Sequence, residues 1–368
     1  MSLMWQNKLH ELKNYINNNP EIMVTKNKTV IPAEYKVRFY ELFNETRKSF
    51  ILDLFNEELD TSYQLAHSLN ESIENLKTQL DLDEVNFPDG ISWFVQDPSK
   101  GMAKILWEPL FDLIADDISM EKFENISKEK VKKIFDTSFY EMYEDWLEVS
   151  ILEKLDARQF LRVLAPTIIG SFGHAQGYVM HLDVKPVIPP EESKVLSLRH
   201  RFDFNSFSVP DFIVYSKHFR KYVSVKARHH VARWIAHEPS QNREWLPLSE
   251  LENVLGDGYL LVYMDDNPLN LALVNDVNVL CRPDMVIEFR EKEGWYSADE
   301  IELIARRSEL LQPKLGTFIV YRCPGENISN SQMGDGFTFL EAGIEKSRLQ
   351  NIIRVLEESA LKHISRPQ

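Results

Sequence analysis

Along the first half of the chain, apolar residues recur every three or four positions, the period of a helix that buries one stripe. Tyr35, Phe39, Leu42, Phe43, Phe50, Leu54 and Phe55 mark such a stripe across Ala33–Asp60. The period resumes over Ser62–Leu80, where Asp60-Thr61-Ser62 offers N-cap chemistry. Ile105–Ala115 and Lys128–Leu155 predict further amphipathic helices, the second with Ser127 as its start. Asn17-Asn18-Asn19-Pro20 ends a first short helix, and Phe87-Pro88-Asp89-Gly90 predicts a turn.

Near Val163 the pattern shortens. Val163–Ile169, Tyr178–Val184, Phe212–Tyr215, Tyr222–Lys226, Tyr259–Met264, Asn270–Leu273, Met285–Phe289 and Thr317–Tyr321 are strand-sized apolar runs, most bounded by Gly, Pro, Asn or Asp. Helical patterns interrupt them at His229–His237, Ser249–Leu255 and Asp299–Leu310, and one more closes the chain at Glu341–Leu361. Lys185–Lys194, with three prolines, predicts a surface loop. The expected fold is α+β: a helical domain over 1–162, then a mixed α/β domain over 163–368 with a C-terminal helix. No solenoid period is present. Val209-Pro210-Asp211-Phe212-Ile213-Val214 echoes Arg282-Pro283-Asp284-Met285-Val286-Ile287, as two strands that each begin after Pro-Asp would.

Composition narrows the function classes. A length of 368 residues suggests two or three domains, and 43% hydrophobic residues suffice for real cores. No apolar run reaches membrane-spanning length. Two cysteines, Cys281 and Cys323, exclude a disulfide framework and a four-cysteine zinc site, and each reads as a small buried hydrophobe. Met1-Ser2-Leu3 ahead of Met4 reads as an added leader, and without a signal-peptide pattern the expected location is cytoplasmic. The net charge of -15 argues against a general nucleic-acid coat protein. The first 165 residues carry 30 acidic and 19 basic side chains, so much of the negative charge sits there.

Walker A, Gly-x-Gly-x-x-Gly, Gly-x-Ser-x-Gly and His-Glu-x-x-His sequences are all absent. The glycine-rich stretch Gly170–Gly177 reads as a connecting loop, and Asp265-Asp266-Asn267-Pro268 as a turn. The most unusual segment is 212–237. It contains no Asp or Glu, six Lys or Arg and four of the ten histidines, with Phe212, Tyr215, Phe219, Tyr222 and Trp234 interleaved. Bases among aromatics suit nucleic acid, whose phosphates pair with the cations and whose bases stack on the rings. The same composition suits a solvated hairpin and basic helix that dock on a protein partner or on the acidic half of the chain.

The hairpin sharpens this choice. Phe212–Ser216 and Lys221–Lys226 flank Lys217-His218-Phe219-Arg220. Symmetric closure puts Ser216 opposite Lys221 and, by the same count, Asp211 opposite Lys226, with Cβ atoms ~5 Å apart. Ser224 shares the face of Lys226, two residues away. A carboxylate, a hydroxyl and an amine then converge, either as a site or as a plain cross-strand ion pair. Phosphodiester hydrolysis uses such a set: a carboxylate to hold Mg²⁺ and a cation to orient water or stabilise developing charge.

Pro210-Asp211, twelve intervening residues and Ser224-Val225-Lys226 resemble the PD-(D/E)xK, restriction-endonuclease-like phosphodiesterases. In that superfamily a Pro-Asp on one strand and an acid-x-Lys on the next form a Mg²⁺ site in an α/β core. Ser224 stands where an Asp or Glu is usual. A Ser-x-Lys branch draws its second acid from the following helix, and Glu238 is the first acid after Lys226. The resemblance implies Asp211 and Glu238 as metal ligands, Lys226 acting on the attacking water and Ser224 in the metal shell.

Other candidates are plainer. His230 and His237, two helical turns apart, predict a basic or core-packed face rather than a metal pair. Asp284 and Glu288 share strand parity and predict a solvated strand face. Two function classes therefore stand: a metal-dependent nuclease-like domain, active or degenerate, or a non-catalytic protein-interaction or regulatory protein.

Overall fold

A computed structural model describes residues 3–26, 28–87, 91–162, 194–198, 212–227, 245–247, 258–268, 271, 279–323 and 336–364. The protein is α+β: a helical N-terminal half, then a mixed seven-stranded sheet and a C-terminal helix. Composition shifts near Val163, while compactness divides the chain into one unit of residues 1–67 and 89–142 and a second of 68–88 and 143–368.

In the first unit, helices α1 (Met4–Asn17) and α2 (Ala33–Leu54) follow the predicted stripe, and Phe39, Leu42, Phe43 and Phe50 are buried. Trp5 of α1 packs within 5.2 Å of Phe50 and 5.5 Å of Phe123, so the core is largely aromatic. Burying each such ring contributes about 1.5–3 kcal/mol. The sequence pattern placed a helix start at Ser62, but α3 spans Asn56–Leu80. Thr61 and Ser62 donate instead to the carbonyls of Glu57 and Glu58, one turn back, so their hydroxyls bond within a helix and cap nothing. Helices α4 (Ser92–Gln96), α5 (Pro98–Lys104) and α6 (Trp107–Ile114) follow. Helix α7 spans Met120–Lys154, so Ser127 lies inside it, fully buried, rather than at its start.

In the second unit, the later parts of α3 and α7 meet through small and polar side chains. Trp146 Nε1 donates to Ser68 Oγ at 2.8 Å, and Ser72 and Ser150 lie 3.4 Å apart. The sheet uses β4 (Ala157–Arg162), β6 (Phe212–Ser216), β7 (Lys221–Ala227), β9 (Tyr259–Asp265), β11 (Met285–Arg290), β12 (Thr317–Tyr321) and β13 (Phe337–Glu341). The order is β13-β12-β11-β9-β7-β6-β4, antiparallel from β4 to β11 and parallel from β11 to β13. Helix α8 (Ala298–Leu311) joins β11 to β12, because parallel neighbours need a crossover. Its N-cap is Ser297, whose Oγ accepts from Glu300 N. Strand β11 is buried at every position, as a strand covered on both faces must be. Gly316, just before β12, has φ +85°, and a Cβ there would lie 2.7 Å from the backbone O of Gly336, just before β13, so only glycine fits without a shift. A 3₁₀ turn (Lys346–Leu349) leads into α9 (Gln350–Ile364). Shorter pairs in this unit are β3–β5 (Glu84–Asn86, Val195–Ser197) and β8–β10 (Trp245–Pro247, Val279–Cys281), and the first unit holds β1–β2 (Met23–Thr25, Lys28–Val30). No helix among the described residues is long and apolar enough to cross a membrane.

The apolar pattern predicts no strand at Ala157–Arg162 or Phe337–Glu341, where β4 and β13 stand. The runs expected at Val163–Ile169 and Tyr178–Val184 lie outside the described residues, as do positions 185–193 of the expected loop. The same holds for the helices His229–His237 and Ser249–Leu255 and for the turn at Pro88–Gly90.

Candidate functional site

The β6–β7 hairpin closes with the register its sequence implies. Ser216 faces Lys221, Tyr215 faces Tyr222 and Val214 faces Val223, around the turn Lys217–Arg220. Three local choices fix that register. Ser216 Oγ accepts from Phe219 N at 3.3 Å and donates to Leu155 O at 2.5 Å. Phe219, at the tip, turns inward and is fully buried. Tyr215 and Tyr222 meet edge to face at 5.1 Å across the strands. Arg220 takes the left-handed conformation that ends the turn, with φ +54°.

Ser224 and Lys226 lie on β7, opposite Tyr263 and Leu261 of β9. They stand two residues apart on one strand. Ser224 is 0% exposed, and its Oγ has no hydrogen-bond partner among the described residues. An unpaired buried hydroxyl costs about 1–3 kcal/mol, so it marks a place where a water, ion or ligand group would be stabilising. Asp211 and Glu238, the two acids assigned to metal, lie outside the described residues, as do the side chain of Lys226 and both His230 and His237. Among the described residues no group of three His, Cys, Asp or Glu side chains could hold a metal ion. Ser224 alone, a neutral donor, does not make a Mg²⁺ site without carboxylates.

Two of the four described polar groups at the tip of the basic segment meet acids of their own unit. His218 Nε2 lies 2.7 Å from Glu357 Oε1 of α9, and Lys221 Nζ lies 3.0 Å from Asp266 Oδ1. Lys217 and Arg220 are exposed. Asp265–Pro268 forms the expected turn, in which Asn267 N donates to Asp265 Oδ1 at 2.9 Å.

The solvated face expected for Asp284 and Glu288 is overturned, because α8 and the loop after it bring cations onto both. Glu288 is 0% exposed and accepts from Arg307 Nη1 at 2.8 and 2.6 Å and from Arg290 Nη2 at 3.2 Å. Arg290 also reaches Glu300 Oε1 at 2.5 Å, and the Arg307 guanidinium lies 4.3 Å from the Tyr259 ring centroid. Asp284 accepts from Lys314 Nζ at 3.0 Å and Met264 N at 2.6 Å. Sequence reasoning missed these partners because Arg307 and Lys314 lie on later elements. Cys323 is buried as expected, and burial raises its thiol pKa above the ordinary range. Glu291, just past β11, is buried with one carboxylate oxygen unpaired among the described residues, and burial raises its pKa above the ordinary carboxylate range.

No protein-family model, curated protein or solved structure matches the chain.

Proposed function

We propose that the β6–β7 hairpin carries a PD-(D/E)xK-like phosphodiesterase site. The observation that supports it is the fully buried hydroxyl of Ser224, unpartnered among the described residues and two positions before Lys226 on β7. In this reading Asp211, which the hairpin count sets opposite Lys226, and Glu238 hold Mg²⁺. The bound ion supplies Lewis acidity at a phosphoryl oxygen. The Lys226 ammonium orients the attacking water and stabilises charge that develops on the phosphate. Ser224 is the neutral member of the shell, so both carboxylates are required: a hydroxyl cannot replace a charged ligand.

The test is cleavage of single- and double-stranded DNA and RNA by purified protein with Mg²⁺ or Mn²⁺. Asp211→Ala and Lys226→Ala should each abolish cleavage, and Glu238→Ala should weaken metal binding. Protein that cuts nothing with either metal, and is unchanged when Asp211 is replaced, would reduce the hairpin to a degenerate site.

A second reading, a non-catalytic protein-interaction module, is favoured by the contacts His218–Glu357 and Lys221–Asp266. They turn the His218 imidazole and the Lys221 ammonium towards the chain's own acids and leave fewer tip groups for phosphates. If nucleic acid binds, affinity should fall steeply with salt, and replacing Lys217, Arg220 and Lys221 together should flatten that slope.

A further inference from the structure

Within the first unit, α7 and the α5–α6 turn line an open cavity of about 780 Å³. That volume lies within the range of small-molecule sites. Lys130, Lys133 and Ile134 line it because positions three and four apart share one helix face. Ile105 and Trp107 supply the opposing apolar wall. Trp107 is 41% exposed although Tyr40 stacks on it at 5.7 Å and the Arg47 guanidinium lies 4.9 Å from its centroid. An indole held this way has no freedom to fold into the core, so its free edge stays available.

The charge here runs against its surroundings. Lys104, Lys130 and Lys133 line the cavity beside one acid, Glu108, in the acidic half of the chain. Neither Lys130 nor Lys133 forms an ion pair among the described residues, although like charges three apart on a helix repel. The first turn of α6, which begins at Trp107, has no N-cap side chain and carries Glu108, the acid that the helix N-terminus favours there. The lysine stems extend the apolar lining while their heads stay at the water boundary.

We propose that this cavity binds a small single-chain amphiphilic anion. Its apolar body lies against Ile105, Trp107 and Ile134, and its carboxylate or phosphate head sits between Lys130 and Lys133.

Calorimetric titration of the full chain with decanoate, and with uncharged 1-decanol, tests this. Decanoate should bind once per chain, more tightly than decanol, and more weakly as salt rises. Lys130→Ala/Lys133→Ala should weaken it about tenfold, as the loss of two nearby cations would. Glu108→Gln should tighten it. Ile134→Trp, which fills the space and leaves the lysines, should block it, and unchanged melting temperatures would show that each variant folds. Three results would overturn the proposal: no decanoate binding, equal binding of decanol, or affinity indifferent to both lysines. So would sedimentation with phosphatidylglycerol vesicles without binding of monomeric decanoate, which would make the face a bilayer contact instead.

Discussion

Glu288 on β11 and Ser224 on β7 lie two strands apart in one sheet, and both are fully buried. Glu288 carries a charge and is held by Arg307 and Arg290. Ser224 is neutral, and no group among the described residues bonds its hydroxyl. The buried carboxylate is the more conspicuous of the two, yet its bonds close within the fold. Arg307 ties α8 to the sheet through it, and Arg290 ties the end of β11 to Gly258 O at 2.9 Å. Among the described residues that hydroxyl contributes no bond to folding that a methyl group would not. On this sheet, satisfaction separates a structural group from a candidate site better than charge does.

The largest effect should come from opening the paired side. Arg307→Ala leaves Glu288 buried beside a single guanidinium and should cost about 3–5 kcal/mol, read from the urea midpoint. Glu288→Gln/Arg307→Met should lose less than the two single changes added together, because neither charge is then stranded. A loss below about 1 kcal/mol for Arg307→Ala would mean that water reaches Glu288, and the contrast with Ser224 would collapse.

Glu291 sharpens the contrast, since it is both chargeable and incompletely bonded. Burial, the largest influence, raises its folded-state pKa, while Lys292, Arg290 and Arg322 pull the other way. In the folded protein it therefore keeps its proton at a pH where the unfolded chain has lost it. Folded-state stability is free of the penalty below the ordinary carboxylate range and declines as pH rises towards the raised folded value. Glu291→Gln should remove that decline and raise the urea midpoint at neutral pH. An unchanged midpoint-against-pH curve would show that the carboxylate is solvated.

Much of the architecture is legible in the chain, where a single period or a single turn decides it. Thr317–Tyr321 is a strand at the predicted bounds, and the four residues Lys217–Arg220 set the β6–β7 register. Legibility fails where one residue type has two uses. Thr61, Ser62 and Ser127 read as caps, but their helices run through them. Ala157–Arg162 carries two arginines and a glutamine and looks unlike a strand until β6 supplies its partner. At the candidate site, the place of Ser224 and Lys226 on one strand follows from the apolar pattern. The lack of a partner for Ser224 among the described residues does not, because it depends on what β9 places nearby. Glu288 misleads for the same reason, its main cation lying nineteen positions away on α8. The lysines of the α7 cavity leave a signal, four lysines at 128, 130, 132 and 133 within an acidic region, that is readable as a charge run but not as a concavity.

The smallest expected effect tests the other side of the comparison. Ser224→Ala deletes a hydroxyl that has no partner among the described residues, so without metal it should leave stability within about 1 kcal/mol of the parent or raise it. Alanine fits the space of serine, which keeps packing losses out of the measurement. A loss beyond about 1.5 kcal/mol would mean that the hydroxyl is bonded in the folded protein, and Ser224 would then join Glu288 as a structural group. Saturating Mg²⁺ separates the remaining cases. A ligand that binds only the folded state raises its stability by mass action. If Ser224 belongs to a metal shell with Asp211 and Glu238, Mg²⁺ should raise the parent's melting temperature, Ser224→Ala should reduce that rise, and Asp211→Ala should abolish it. An identical rise in all three proteins would place the ion elsewhere and detach the hydroxyl from the phosphodiesterase reading.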